Sequence, residues 1–155
     1  MKIDKEKNAL PPFVSFRTFN IFLGQLKQML PVRMDRSYWG EMYSGKTGAH
    51  LISAVRFLNL IDIDARPTPR LKLLLFSDSE HRIAMFRVVA EDAYAFVLKG
   101  TLAIENATYN DIEQVFLENY NLKIDTCHQC VKFFVQFSKA AGISLSNELV
   151  KKRIQ

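Results

Sequence analysis

The sequence predicts a mainly α-helical protein with two small helix-turn-helix-like units, the first of them winged-helix-like with a short β wing. Apolar residues recur at three- and four-residue steps along several segments, which is the period of an amphipathic helix. Proline, glycine and capping residues separate these segments where helices begin and end. We divide the chain into a disordered tail (1–12), a basic winged-helix-like unit (13–78) and a helical second unit (79–155). One interpretation of the second unit is a degenerate repeat of the first.

In the first unit, the clearest helix follows two prolines and is stopped by Pro31, because proline disfavours helical backbone in the residue before it. Its apolar stripe is formed by Phe16, Phe19, Phe22, Leu23, Leu26 and Leu30. Pro69 suits the first position of a later helix, where its missing N–H removes no hydrogen bond. The predicted elements are helices over residues 15–30, 35–43, 48–60 and 70–76, with the wing over residues 60–69.

Local end signals also delimit the helices of the second unit. Gly100 and Gly142 suit the left-handed backbone that commonly ends a helix. Thr108, followed three residues later by Asp111, is a capping-box-like start. The predicted helices span residues 79–99, 108–120 and 126–141, and a last short helix begins at Ser144 or Ser146.

Charge is divided unevenly between the two halves of the chain. Residues 1–76 contain 12 Lys and Arg against 6 Asp and Glu, whereas residues 77–155 contain 9 against 10. The corresponding net charges are +6 and −1. A basic half joined to a neutral half is typical of a polyanion-binding module attached to a partner-binding module. An ordinary solvated surface is the alternative interpretation of the same composition.

The order helix, helix, helix, wing, helix is typical of a winged helix-turn-helix, whose third helix and wing commonly face nucleic acid. We therefore expect a double-stranded DNA-binding protein, with a regulatory role as one interpretation. The expected contacts are Lys46, Thr47, His50, Ser53, Arg56, Arg66 and Arg70.

Two other functions fit the same sequence. A non-enzymatic protein-interaction adaptor would use the winged-helix scaffold without nucleic acid, since fold does not fix function. The second of these functions is the sensing of a small ligand bound between the two units. In each case the second unit is available for homodimerisation or for a protein partner.

Residues 40–47 match the P-loop pattern of glycine, any four residues, glycine, lysine and threonine. A phosphate-binding P-loop follows a buried strand, but the residues before this match include a proline, two arginines and an aspartate, so no such strand is predicted. We interpret the match as a turn that leads into the third helix. No nucleophile, base and orienting group occur at an interpretable spacing, and we predict a non-enzyme without cofactor.

Cys127 and Cys130 have the spacing of half a zinc site. The other half is absent, because His50 and His81 are distant in sequence. On a helix, these thiols are better explained as small apolar groups of the core. We therefore predict no metal, with zinc shared across a dimer as the lesser alternative.

No apolar run approaches the roughly 20 residues that cross a bilayer, and the first residues do not resemble a secretory signal. Two cysteines are too few for a disulfide scaffold. We therefore expect a cytoplasmic protein that does not bind membranes.

Several short segments resemble an uncharacterised family of bacterial and archaeal proteins that is known only as a domain of unknown function. The resemblance extends from Phe13 onward and is carried by residues 16–19, 22–23, 34–37, 44–45 with 47, 56–62, 67–71 and 137–146. It implies no activity and no catalytic residues. Residues 58–75 are also similar to the wing and following helix of winged-helix transcription regulators.

Overall fold

The computed structural model describes residues 10–35, 37–38, 43 and 45–151. Its helices confirm the mainly α class, and a 3₁₀ turn at Ile104–Asn106 joins two of them. We label the helices α1 (Phe16–Gln28), α2 (Gly45–Phe57), α3 (Pro69–Phe76), α4 (Ser79–Ala93), α5 (Ala95–Leu98), α6 (Tyr109–Asn119), α7 (Ile124–Ala140) and α8 (Asn147–Lys151). No helix in the described ranges is long and apolar enough to cross a bilayer.

Helix α1 forms where the sequence predicts it. The Ser15 side chain accepts a hydrogen bond from the Thr18 N–H at 3.1 Å, which satisfies a backbone donor that a helix start leaves free. The buried side of α1 is the predicted apolar stripe, with Phe19, Phe22, Leu23 and Leu26. This side packs against α3 and α7, so the first helix contacts both halves of the chain.

The predicted brief helix over residues 35–43 is described in part. Ser37 and Tyr38 are helical, and the Asp35 carboxylate accepts hydrogen bonds from the Ser37 hydroxyl and the Tyr38 N–H. Tyr43 is not helical. The other residues of this predicted helix lie outside the described ranges.

The predicted short β wing is wrong. Residues 60–69 contain a single isolated antiparallel bridge, between Ile61 and Pro67, and no strand. The reason is local, because the Asp62 carboxylate accepts hydrogen bonds from the N–H groups of Asp64 and Arg66 at 2.8 and 3.0 Å. Such side-chain bonds fold the backbone into a compact turn, which competes with strand pairing. We call residues 61–67 the Asp62 turn.

The predicted helix over residues 79–99 is divided at Tyr94. This residue has φ −108° and ψ 29°, ends α4 and precedes the short helix α5. Its side chain is fully buried between the rings of Phe57 and Phe134, whose centroids lie 5.4 and 4.8 Å away. Both partners are distant in sequence, so the local pattern does not encode the break.

Two predicted helix ends are confirmed in atomic detail. Thr108 and Asp111 form a reciprocal capping box at the start of α6, with both hydrogen bonds at 3.0 Å. Gly142 follows α7 with φ 72°, in the left-handed region that glycine adopts without steric cost. The same prediction for Gly100 is wrong, because Gly100 does not have a positive φ.

The apolar core is one cluster with residues from both sides of the predicted boundary at residue 78. The Phe19 ring of α1 packs edge-on against Phe133 of α7 at 5.2 Å between centroids. Because the core is continuous across residue 78, the division into two units remains a prediction from the sequence. Pro11 and Pro12, which the prediction placed in the tail, are buried against this core, whereas residues 1–9 lie outside the described ranges.

Candidate nucleic-acid interface

Lys46 and Thr47 lie in the first turn of α2 and are exposed. They end the P-loop-like segment, of which only Gly45, Lys46, Thr47 and Tyr43 are described. The described residues before the segment, 31–35 and 37–38, contain no strand. Here the lysine and threonine therefore belong to the start of a surface helix.

Helix α2 is in contact with neighbouring segments at both ends. The Phe13 ring lies 4.6 Å from the His50 ring, centroid to centroid, and leaves His50 half-buried. At the other end, Phe57 contacts Tyr94 and Tyr120 of the second half at 5.4 and 6.3 Å. Ser53, between these ends, is also half-buried. The predicted contacts on α2 are thus partly covered by neighbouring segments.

Arg56 and Arg66 come together at the Asp62 turn. The Arg56 guanidinium donates to the Asp62 carbonyl at 3.4 Å, and Arg66 is exposed on the same turn. The pKa of Asp62 is lowered, first by the hydrogen bond from the Arg66 N–H and further by the charges of Arg66 and Arg33. Arg33 was not among the expected contacts. We call Arg33, Arg56 and Arg66 the arginine cluster.

A single backbone hydrogen bond brings Arg33 to this place. The Met34 N–H donates to the Ala65 carbonyl at 2.7 Å and joins the segment after α1 to the Asp62 turn. Arg33 is exposed, and its charge also lowers the pKa of Asp35, after the stronger effect of the Ser37 hydroxyl hydrogen bond. The sequence signal for Arg33 was only its position after Pro31, which does not say which loop it meets.

Arg70 pairs with a carboxylate on a different element from the Asp62 turn. Its guanidinium forms an ion pair with the Asp92 carboxylate of α4 at 2.8 Å, and Asn59 donates to the same carboxylate oxygen at 3.3 Å. The hydrogen bond from Arg70 lowers the pKa of Asp92 most, and the hydrogen bond from Asn59 lowers it further. Of the seven expected contacts, Arg70 is therefore the one whose charge is neutralised by a carboxylate within the described residues.

The two cysteines are buried, which confirms their predicted role in the core. The Cys130 thiol donates to the Pro11 carbonyl at 3.5 Å, and the Cys127 thiol donates to the Glu113 carbonyl at 3.7 Å. Burial raises the pKa of Cys127 to about 11 and that of Cys130 to about 12. Among the described residues no group of three His, Cys, Asp or Glu could hold a metal ion.

Comparisons with protein-family models, curated proteins and solved structures found no match. The resemblance to an uncharacterised family and the winged-helix detail remain predictions.

Proposed function

We propose that this chain binds double-stranded DNA through phosphate contacts from Lys46 and the arginine cluster. The proposal is supported by the unpaired charge of the first half. Between residues 10 and 76, the described basic side chains are Arg17, Lys27, Arg33, Lys46, Arg56, Arg66, Arg70 and Lys72. Only Arg70 forms an ion pair with a described carboxylate. Cations without carboxylate partners are the groups that neutralise phosphates and release counterions on binding.

The contacts are with the DNA backbone, because α2 is covered along part of its outer side. A recognition helix must insert its side chains between the walls of the major groove, which are about 12 Å apart. Phe13 covers His50, and the second half covers Phe57, so this helix cannot enter the groove along its whole length. Phosphate contacts position a protein on DNA and carry no sequence information.

The affinity is expected to be modest. Asp35, Asp62 and Asp64 lie beside the arginine cluster and offset part of its positive potential. We expect dissociation constants of about 10⁻⁴ to 10⁻⁶ M at physiological salt, the range of non-specific DNA binding.

Fluorescence anisotropy of a short labelled duplex, measured over a series of KCl concentrations, tests the proposal. The affinity should fall as salt rises. Arg66→Gln and Arg33→Gln should each reduce the magnitude of the slope of log K against log salt by about 0.9. Lys123→Gln is the matched control, because Lys123 is exposed in the second half and makes no side-chain cap hydrogen bond. Binding that is absent, or equal in all variants, would contradict the proposal.

A protein-interaction adaptor is the second candidate function, favoured by the apolar side chains beside the arginine cluster. Ile63, Val32 and Met29 are 91%, 82% and 78% exposed, more than any other large apolar residue in the described ranges. Large apolar side chains that remain exposed are available for contact with another protein. Sedimentation velocity at rising protein concentration tests for a second copy as that protein. If the chain ignores DNA and self-associates, and Ile63→Ser abolishes the association, the adaptor function is supported.

A further inference from the structure

A shallow groove of about 530 Å³ lies between α1 and α7, and none of the residues proposed to bind DNA lines it. Its lining residues are Phe16, Arg17, Asn20 and Ile21 from α1, and Gln136 from α7. The groove therefore lies where the amino-terminal and carboxy-terminal halves meet. Its volume falls in the range of about 300–1,000 Å³ that is typical of small-ligand sites.

The floor of the groove is held by aromatic packing. The Phe16 ring contacts Phe133 at 5.7 Å and Phe137 at 6.1 Å, edge-on in both cases. The Phe16 side chain is half-buried, and Ile21 beside it is exposed. These two residues give the groove a rigid apolar surface of the kind that accepts the face of a planar ring.

The polar groups of the groove have free hydrogen-bonding capacity. Within the described part of the chain, no protein group makes a hydrogen bond or ion pair with the side chains of Arg17, Asn20 or Gln136. Arg17 offers a planar fork of donors that matches phosphate, and each carboxamide offers both a donor and an acceptor. The two carboxamides come from different helices and so face the groove from opposite walls.

The groove is also cationic. Helix α1 contains no acidic residue, and the single acid of α7, Asp125, precedes Gln136 by eleven residues, about 16 Å along the helix axis. Lys132 is exposed one turn before Gln136 and forms no ion pair with a described carboxylate. The charge of Arg17 and Lys132 therefore complements an anion.

We propose that the groove between α1 and α7 binds a mononucleotide, a ligand with one phosphate and one planar base. Arg17 binds the phosphate, Asn20 and Gln136 form hydrogen bonds with the edge of the base, and Phe16 and Ile21 contact its face. This proposal does not depend on DNA binding, since it uses none of Lys46, Arg33, Arg56 and Arg66.

Isothermal titration calorimetry on the full chain tests the proposal with AMP and GMP as ligands, and with adenosine and inorganic phosphate as fragments. At least one mononucleotide should bind, and each fragment should bind at least roughly tenfold more weakly, because a charge-assisted phosphate contact is worth about that factor. Inorganic phosphate that binds as tightly as the mononucleotide would overturn the proposal, and so would no binding at millimolar concentration.

Two variants and one control locate the site. Arg17→Gln should weaken binding roughly tenfold or more, and Gln136→Ala tests the opposite wall without altering α1. Both side chains are exposed, and a circular dichroism melt verifies that each variant is folded. Lys27→Gln is the control, because Lys27 is an exposed cation on the same helix and does not line the groove. Binding that survives Arg17→Gln, or that is lost in Lys27→Gln alone, would overturn the proposal.

Discussion

The Arg70 guanidinium and the Asp92 carboxylate lie 2.8 Å apart and connect the start of α3 with the end of α4. The two helices are joined by the short segment at Ser77 and Asp78, so this ion pair closes the open end of a helical hairpin. Asn59 donates to the same carboxylate from the end of the α2 segment. The Asp92 carboxylate thus joins three segments on both sides of residue 78, and one of its two partners, Arg70, was expected to contact DNA.

Replacing Arg70 should reduce stability slightly. We expect Arg70→Gln to lower the free energy of unfolding by about 0.5–1 kcal/mol, a small value because the pair is partly exposed and screened by solvent. Urea denaturation measures the change. Lys72→Gln, on the same helix without an ion pair to a described carboxylate, is the control and should have no measurable effect. Equal stability of the two variants would show that the ion pair makes no measurable contribution to the free energy of unfolding.

The same pair predicts a pH dependence. The hydrogen bond from Arg70 lowers the pKa of Asp92 in the folded state below that of the unfolded chain. The stabilisation is therefore complete above the unfolded pKa of about 3.9 and is lost as the pH falls through the lower folded value. The stability difference between the wild-type chain and Asp92→Asn should be constant from pH 7 to about pH 5 and shrink below about pH 4. A difference that grows on acidification would reverse the assigned sign.

Local sequence signals predicted much of the fold. The contacts between distant segments could not be predicted from the sequence. Ser15, the Thr108–Asp111 capping box and Gly142 act within a few residues of their own helices, so their sequence patterns predicted helix ends correctly. At the break between α4 and α5, the buried ring of Tyr94 contacts Phe57 and Phe134, which are distant in sequence. No local pattern contains that information.

The candidate site shows the same limit. The charge asymmetry of the two halves and the exposure of Lys46 could be inferred from the sequence. The Asp62 turn was not inferred, although the hydrogen bonds from the Asp64 and Arg66 N–H groups to its carboxylate are local. The groove depends on distant segments, because Arg17 and Asn20 lay off the predicted apolar stripe and nothing in the sequence pairs them with Gln136.

Gly142 and Gly24 should respond oppositely to alanine. Gly142 has φ 72°, so Gly142→Ala should cost about 1 kcal/mol of backbone strain, while its new Cβ would make only an ordinary contact with Ile83 at 3.6 Å. Gly24 lies inside α1, and a Cβ there meets nothing within 4 Å. Gly24→Ala should therefore stabilise the protein by about 0.5–1 kcal/mol. Thermal denaturation of both variants measures this, and a shift in the same direction would contradict the argument.

The cysteines should be unreactive in the folded chain. Burial raises the pKa of Cys127 to about 11 and that of Cys130 to about 12, and only the thiolate reacts with disulfide reagents. At pH 8, the aromatic disulfide reagent DTNB should react with the native protein about a hundredfold more slowly than with the urea-unfolded chain. Rapid reaction of one thiol under native conditions would show that it is accessible.

Two buried hydroxyl groups should be dispensable for stability. The Tyr94 and Ser138 hydroxyls are buried and have no hydrogen-bond partner in the described part of the chain. Removing an unsatisfied buried hydroxyl relieves its desolvation penalty, so Tyr94→Phe should raise the free energy of unfolding by about 1 kcal/mol. Ser138→Ala should act in the same direction, helped by the higher helix propensity of alanine. Tyr94→Ala is the control and should destabilise strongly, because it also removes the ring from the aromatic core. If urea denaturation shows a loss of stability in Tyr94→Phe, the hydroxyl has a partner in solution, and a buried water is the group that fits there.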